Sequence, residues 1–139
     1  MVLKGLTSIV VPDGVRKIHE SAFYGCENLA DISLPDSLEY IGIDVFGDTA
    51  VYEDESNWEN GVLYIGNHLI KADELISGEY AIKEGTKAVA DEAFSACTKL
   101  TSIEIPASLT GIGDYTFIFC KGVEKFSVNP ENQAFSTDE

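Results

Sequence analysis

Leu6 to Leu29 reads LTSIVVPDGVRKIHESAFYGCENL, and Leu100 to Val123 reads LTSIEIPASLTGIGDYTFIFCKGV. Both open on Leu-Thr-Ser-Ile, and their later landmarks stay in phase. The same spacing runs through the chain between them. Pro12 and Pro35 are 23 residues apart, as are Ile9 and Ile32, Ile18 and Ile41, Phe23 and Phe46, Phe94 and Phe117, and Cys97 and Cys120. A fixed period of this length is the signature of a repeat architecture, and it decides the fold before any single residue is weighed.

Each unit has one physical reading. Ile9 and Val11 alternate as in a short strand. Pro12 ends it by removing a ladder donor, and Asp13-Gly14 turns the chain. Val15 and Ile18 form a second short apolar edge, and Ala22-Phe23 with Cys26 read as one helical turn leading to Leu29. Such a unit cannot bury its own apolar edge. Stacked copies can, with the strand of each unit parallel to the next, and the result is a solenoid.

The period fails once. Phe46 and Phe94 are 48 residues apart, two more than two full periods, so a unit's worth of chain has been replaced. Within it, Val62–Ile65, Gly66-Asn67 and His68–Lys71 read as strand, two-residue turn and strand. This hairpin is expected to project from the solenoid or cross its edge, either as a flap over a ligand or as a staple between repeats. The division that follows is one domain, 1–139, with units 6–28, 29–50, 77–99 and 100–122, a partial unit 123–139, and an insert 51–76.

Composition narrows the function. Nine Lys and Arg stand against 24 Asp and Glu, for a net charge of -15 over 139 residues. This excludes nucleic acid, whose binding needs clustered cations, and an anionic membrane surface. No run approaches the roughly 18 apolar residues of a span, so membrane insertion is not expected, and Met1–Leu6 is not a signal peptide. With 45% hydrophobic residues the chain can bury a core.

The unit Leu-x-x-Ile-x-Leu-Pro-x-x-Leu-x-x-Ile-x-x-x-x-Phe-x-x-Cys, legible at Leu29 to Phe46 and Leu100 to Cys120, resembles the leucine-rich repeat of the bacterial BspA-like surface proteins. Trp58 to Ala72 is similar to the hairpin insert that recurs between repeats in that family. The resemblance implies an α/β fold, a right-handed solenoid of short parallel strands with an inserted β-hairpin. It also implies a secreted or cell-surface bacterial protein, often used in adhesion. Met1–Gly5 reads as the tail of an earlier unit, and the chain ends on the acidic Ser136–Glu139. Neither end supplies the polar cap a solenoid needs. A piece of a longer surface protein is therefore expected, with uncapped ends that offer a route to oligomers.

Little in the sequence suggests chemistry. Cys26, Cys97 and Cys120 share one repeat phase, where the second unit has Thr49, and such cysteines fill space against the next coil. Cys97 and Cys120 stack on adjacent coils, where a disulfide is open but not required. His19 and His68 read as exposed, with no nucleophile at motif spacing. Gly111 and Gly113 fall short of a dinucleotide fingerprint, since Thr116 stands at the third position, and both read as turn residues. The acidic run Glu53–Asn57 with Glu59-Asn60 is rich in oxygen ligands, yet it lacks the EF-hand order, and such runs are usually solvated. No cofactor or metal is expected.

What remains is a surface. Residues between the inward ones on each strand must face out: Ser8 and Val10, Asp31 and Ser33, Glu79 and Ala81, Ser102 and Glu104, then Lys125 and Ser127. Repeat proteins bind partners on such extended faces. This one is small, polar and acidic, with almost no aromatic anchors. A non-catalytic protein-interaction module and an architectural spacer both fit the pattern. An enzyme is the remote third reading.

Overall fold

The computed structural model describes residues 5–113, 115–117 and 120–135. Of the earlier-unit reading of Met1–Gly5, Met1–Lys4 lie outside them, as does the acidic end Ser136–Glu139. The chain winds as a β-solenoid of about five turns, with short strands and little helix. Its first-strand series is β1 (Ser8–Val10), β3 (Asp31–Ser33), β8 (Gly78–Ala81), β10 (Leu100–Ile105) and β12 (Lys125–Val128). A second series, on the return side of each coil, is β2 (Lys17–Ile18), β4 (Tyr40–Ile41), β9 (Ala88–Val89) and β11 (Gly111–Ile112). On either side of the insert, neighbours in each series pair in parallel at the sequence period: Ile9 opposite Ile32, Ile18 opposite Ile41, and Ile103 opposite Phe126. Parallel strands joined by such crossovers are right-handed in nearly all proteins.

Backbone devices repeat with the sequence. Gly14 and Gly85 sit at φ +95° and +96°, which glycine adopts without steric cost. The Gly14 N–H donates to Ser37 Oγ at 3.0 Å, and that hydroxyl donates to the Val15 carbonyl at 2.8 Å. Ser108 holds the Gly85 turn in the same way, at 2.9 Å and 2.8 Å. Each serine pins the turn of the coil before it. A left-handed residue also recurs in one phase, at Ser21, Asp44, Glu92 and Tyr115. The helical turn expected around Ala22 is instead a run of tight turns, with Ala22, Tyr24 and Cys26 N–H groups each bonding three residues back. The left-handed Ser21 and Gly25 stop it from propagating as a helix.

Helix is confined, among the described residues, to α1 (Ala50–Glu53) and a 3₁₀ turn over Glu55–Asn57. α1 begins on the last residue of the second unit, and the 3₁₀ turn lies in the insert. Thr49 caps α1, accepting from Tyr52 N–H, and Asp54 caps the 3₁₀ turn, accepting from Ser56 N–H. The insert continues as β5 (Trp58–Glu59), β6 (Val62–Ile65) and β7 (His68–Ala72). The expected hairpin is present, turning at Gly66-Asn67, but it does not project. β7 pairs antiparallel with β6 and parallel with β9, so it stands in for the second strand of the replaced coil. Val62, Leu63, Leu69 and Ala72 are fully buried. Their apolar surface belongs in the core because the coils on either side need a covering layer.

The replaced coil leaves a break on the other side. β1 and β3 form one two-stranded sheet, while β12, β10 and β8 form a separate three-stranded one. The phenylalanine row is broken too. Phe23 stacks on Phe46 at 5.9 Å and Phe94 on Phe117 at 5.5 Å, whereas Phe94 finds Tyr80 rather than Phe46 as its other ring neighbour.

Candidate functional site

The alternation of the first strands is visible in burial. On β3 the outer Asp31 and Ser33 are exposed and Ile32 turns inward. On β10 Ile103 is buried between Ser102 and the exposed Glu104. Ser8, Val10, Glu79 and Ala81 are likewise exposed, with Val10 at 73%. Pairing sets these side chains in rows. Ser8 lies beside Asp31 and Val10 beside Ser33. Glu79, Ser102 and Lys125 form a row on the other sheet, and Ala81, Glu104 and Ser127 another. Because the sheet is interrupted after β3, the eight outward residues form two patches instead of one face.

The first patch faces the hairpin. A shallow groove of about 400 Å³ runs along β1 and β3, lined by Ser8, Val10, Asp31 and Ser33. Its far wall is Tyr64, Ile65 and Gly66 of the hairpin, with Val51 and Asn57. Those wall residues were not candidates from the repeat pattern, because they belong to the segment where the pattern stops. The strand, two-residue turn and strand over 62–71 was the available signal. Tyr64 spans the break: its hydroxyl lies 2.6 Å from that of Tyr80 and accepts from the Lys83 N–H at 3.2 Å. Burial, and then the hydrogen bond to Tyr64, push the Tyr80 phenol far above its ordinary range.

Neither histidine sits with the groove. His19 is exposed, as expected. His68, expected to be exposed, is fully buried, because β7 carries it into the space between coils. One ring nitrogen, Nε2, lies 2.8 Å from the Pro35 carbonyl, while Nδ1 is buried without a partner. Burial lowers its pKa, opposed by the Pro35 carbonyl and Asp36.

The cysteines are free thiols that serve the stacking. Cys120 Sγ donates to the Phe94 carbonyl at 2.7 Å and Cys97 Sγ to the Asp73 carbonyl at 3.6 Å. Burial pushes the Cys97 thiol up to about 11, away from the reactive thiolate. Gly111 and Gly113 are not turn residues. A Cβ on Gly113 would lie 2.5 Å from the Asp91 backbone nitrogen, so their smallness lets coils approach. In the acidic stretch 53–57 Asp54 caps the 3₁₀ turn, and among the described residues no group of three or more His, Cys, Asp or Glu is placed to hold a metal ion. No helix among them is long and apolar enough to cross a membrane.

A family model described as the BspA type leucine rich repeat region (6 copies) matches residues 3–77 and 65–138. Three solved structures are similar. A leucine rich cell surface protein from Faecalibacterium prausnitzii A2-165 is 21% identical with a TM-score of 0.46, over 88% of this chain and 41% of that one. A leucine-rich repeat protein from Bacteroides ovatus ATCC 8483 is 26% identical with a TM-score of 0.37, over 92% and 39%. A leucine rich repeat protein of T. pallidum is 18% identical with a TM-score of 0.33, over 87% and 69%. The chain thus spans about two fifths of the first two proteins. Among curated proteins none matches.

Proposed function

Because this chain belongs to the BspA-type leucine-rich-repeat family, we propose that it is a non-catalytic protein-interaction module. Its repeat units are 6–28, 29–50, 77–99, 100–122 and a partial 123–139, around the insert 51–76. The observation that carries the reading is the outward row of polar and acidic side chains, held in fixed register on parallel strands. Rigid strands present these groups at little entropic cost to a partner. The side chains placed to contact it are Ser8, Val10, Asp31, Ser33, Glu79, Ala81, Ser102 and Glu104. Asp31 and Glu104 supply charge for steering and register.

The setting we propose is extracellular, on a bacterial cell surface, with adhesion to host or neighbouring-cell proteins as the role. The competing reading is a spacer within a longer array. A pull-down with the immobilised protein separates them. Saturable capture that falls when Asp31 and Glu104 are both changed to Lys supports binding, and no saturable capture favours the spacer.

A further inference from the structure

The insert builds a second concavity away from the strand rows. A cleft of about 620 Å³ lies between the end of α1, the start of β5 and the turn that follows β7. Its apolar walls are Tyr52, Trp58 and Leu75. Trp58 Nε1 donates to the Tyr52 carbonyl at 2.9 Å, and the two rings meet edge to face at 5.3 Å, so this wall is held rigid. Leu75 is 67% exposed.

Around these walls stand Glu53, Glu55, Asp73 and Glu74. Asp73 Oδ1 accepts from the Leu75 N–H at 2.8 Å, which fixes the turn. The ion pairs among the described residues are Arg16–Glu39 and Lys83–Glu59, so none neutralises this cleft. Lys71 is the cation in the lining, and its ammonium is turned to the Glu92 carbonyl at 3.0 Å. Tyr52 feels the resulting field. After burial, Asp44, Glu53, Asp73 and Asp48 all push its pKa up. The carboxylates do not converge as metal ligands. A cation that fits must therefore be spread out and partly apolar.

We propose that this cleft docks a basic amphipathic peptide segment of a partner protein, with an arginine side chain against Trp58 and an apolar neighbour on Leu75. A guanidinium is planar, stacks on aromatic faces and pairs with carboxylates through several N–H groups. The -15 net charge draws such a segment in from a distance. This site shares no residue with the strand rows, so it stands whether or not they bind a partner.

Trp58 is the one tryptophan of the chain, and its emission reports on the cleft. The probe is an acetylated Arg-Leu-Arg-Leu amide, with the citrulline-for-arginine peptide as its uncharged twin. The expected result is a saturable emission change with the arginine peptide and none with the twin. Binding should weaken about tenfold in the double variant Glu53→Gln, Glu74→Gln, as for loss of charge-assisted hydrogen bonds, and also in Leu75→Ser. All three positions are exposed, and unchanged melting midpoints verify that each variant is folded. The double variant Asp31→Lys, Glu104→Lys should bind as the parent does. No saturable change, equal binding of the twin, undiminished binding by the cleft variants, or loss confined to the strand-row variant would each overturn the proposal.

Discussion

The hydroxyls of Tyr64 and Tyr80 meet at 2.6 Å, tying the first hairpin strand to the first strand of the coil behind it. Tyr64 also accepts from the Lys83 N–H, and the Lys83 ammonium lies 4.7 Å from its ring centroid. Removing the Tyr64 hydroxyl breaks two hydrogen bonds, while removing that of Tyr80 breaks one. Tyr64→Phe should cost about 1–2 kcal/mol and Tyr80→Phe about half of that, at the modest net value of each hydrogen bond lost. Urea unfolding of both variants beside the parent checks the order.

Phe94 is fully buried, between Phe117 and Tyr80. Phe94→Ala should lose roughly 3–5 kcal/mol through the cavity it leaves. Small domains hold only about 5–15 kcal/mol in all, so this variant should unfold near physiological temperature. Phe126, 43% exposed on β12, should tolerate the same change with a far smaller loss. Thermal midpoints of the two variants decide it, and equal midpoints would contradict the packing described.

Gly113 has no room for a side chain. A Cβ there would sit 2.5 Å and 2.6 Å from the Asp91 backbone N and Cα, atoms that cannot move aside as a side chain can. Gly113→Ala should destabilise by about 1–3 kcal/mol, in the range of overpacking. Gly14→Ala meets open space, and its cost comes from its φ of +95° alone. Calorimetry on both separates steric from conformational cost.

His68 gives a pH dependence whose sign is fixed by burial. Its folded pKa lies below the 6.5 of a free imidazole, so in acid the unfolded chain takes up a proton that the native chain refuses. Its contribution is complete above about pH 6.5 and is lost as pH falls towards the folded value. His68→Gln keeps a donor for the Pro35 carbonyl and removes the titration. Unfolding free energies of parent and variant should diverge below pH 6.5, with the parent falling up to about 1.4 kcal/mol more per pH unit. Parallel curves would contradict the buried neutral ring.

Most of the solenoid was legible because repeat phase is a long-range signal. Ile9 opposite Ile32 and Ile18 opposite Ile41 are the in-register pairs that a period of 23 requires. The insert was legible as a hairpin, because strand–turn–strand is local, but its place was not. Whether Leu63 and Leu69 face solvent or core depends on what the neighbouring coils leave uncovered, which no local pattern encodes. The same cause hid His68, the split of the phenylalanine row, and the break that divides Asp31 and Ser33 from Glu79 and Ala81. It also hid the Tyr64 wall of the groove and the cleft around Trp58, both built from chain outside the repeat.

Partner binding through the strand rows is the central claim, and contact mapping tests it most directly. A photo-crosslinking residue is placed at Ser33 or Ala81 on the strands, or at Glu27, exposed on a turn. Each protein is then irradiated with surface proteins of neighbouring cells. Covalent adducts from Ser33 and Ala81, saturable by unlabelled protein, with none from Glu27, are the predicted result. Adducts from Glu27 alone, or equally from all three positions, would contradict it.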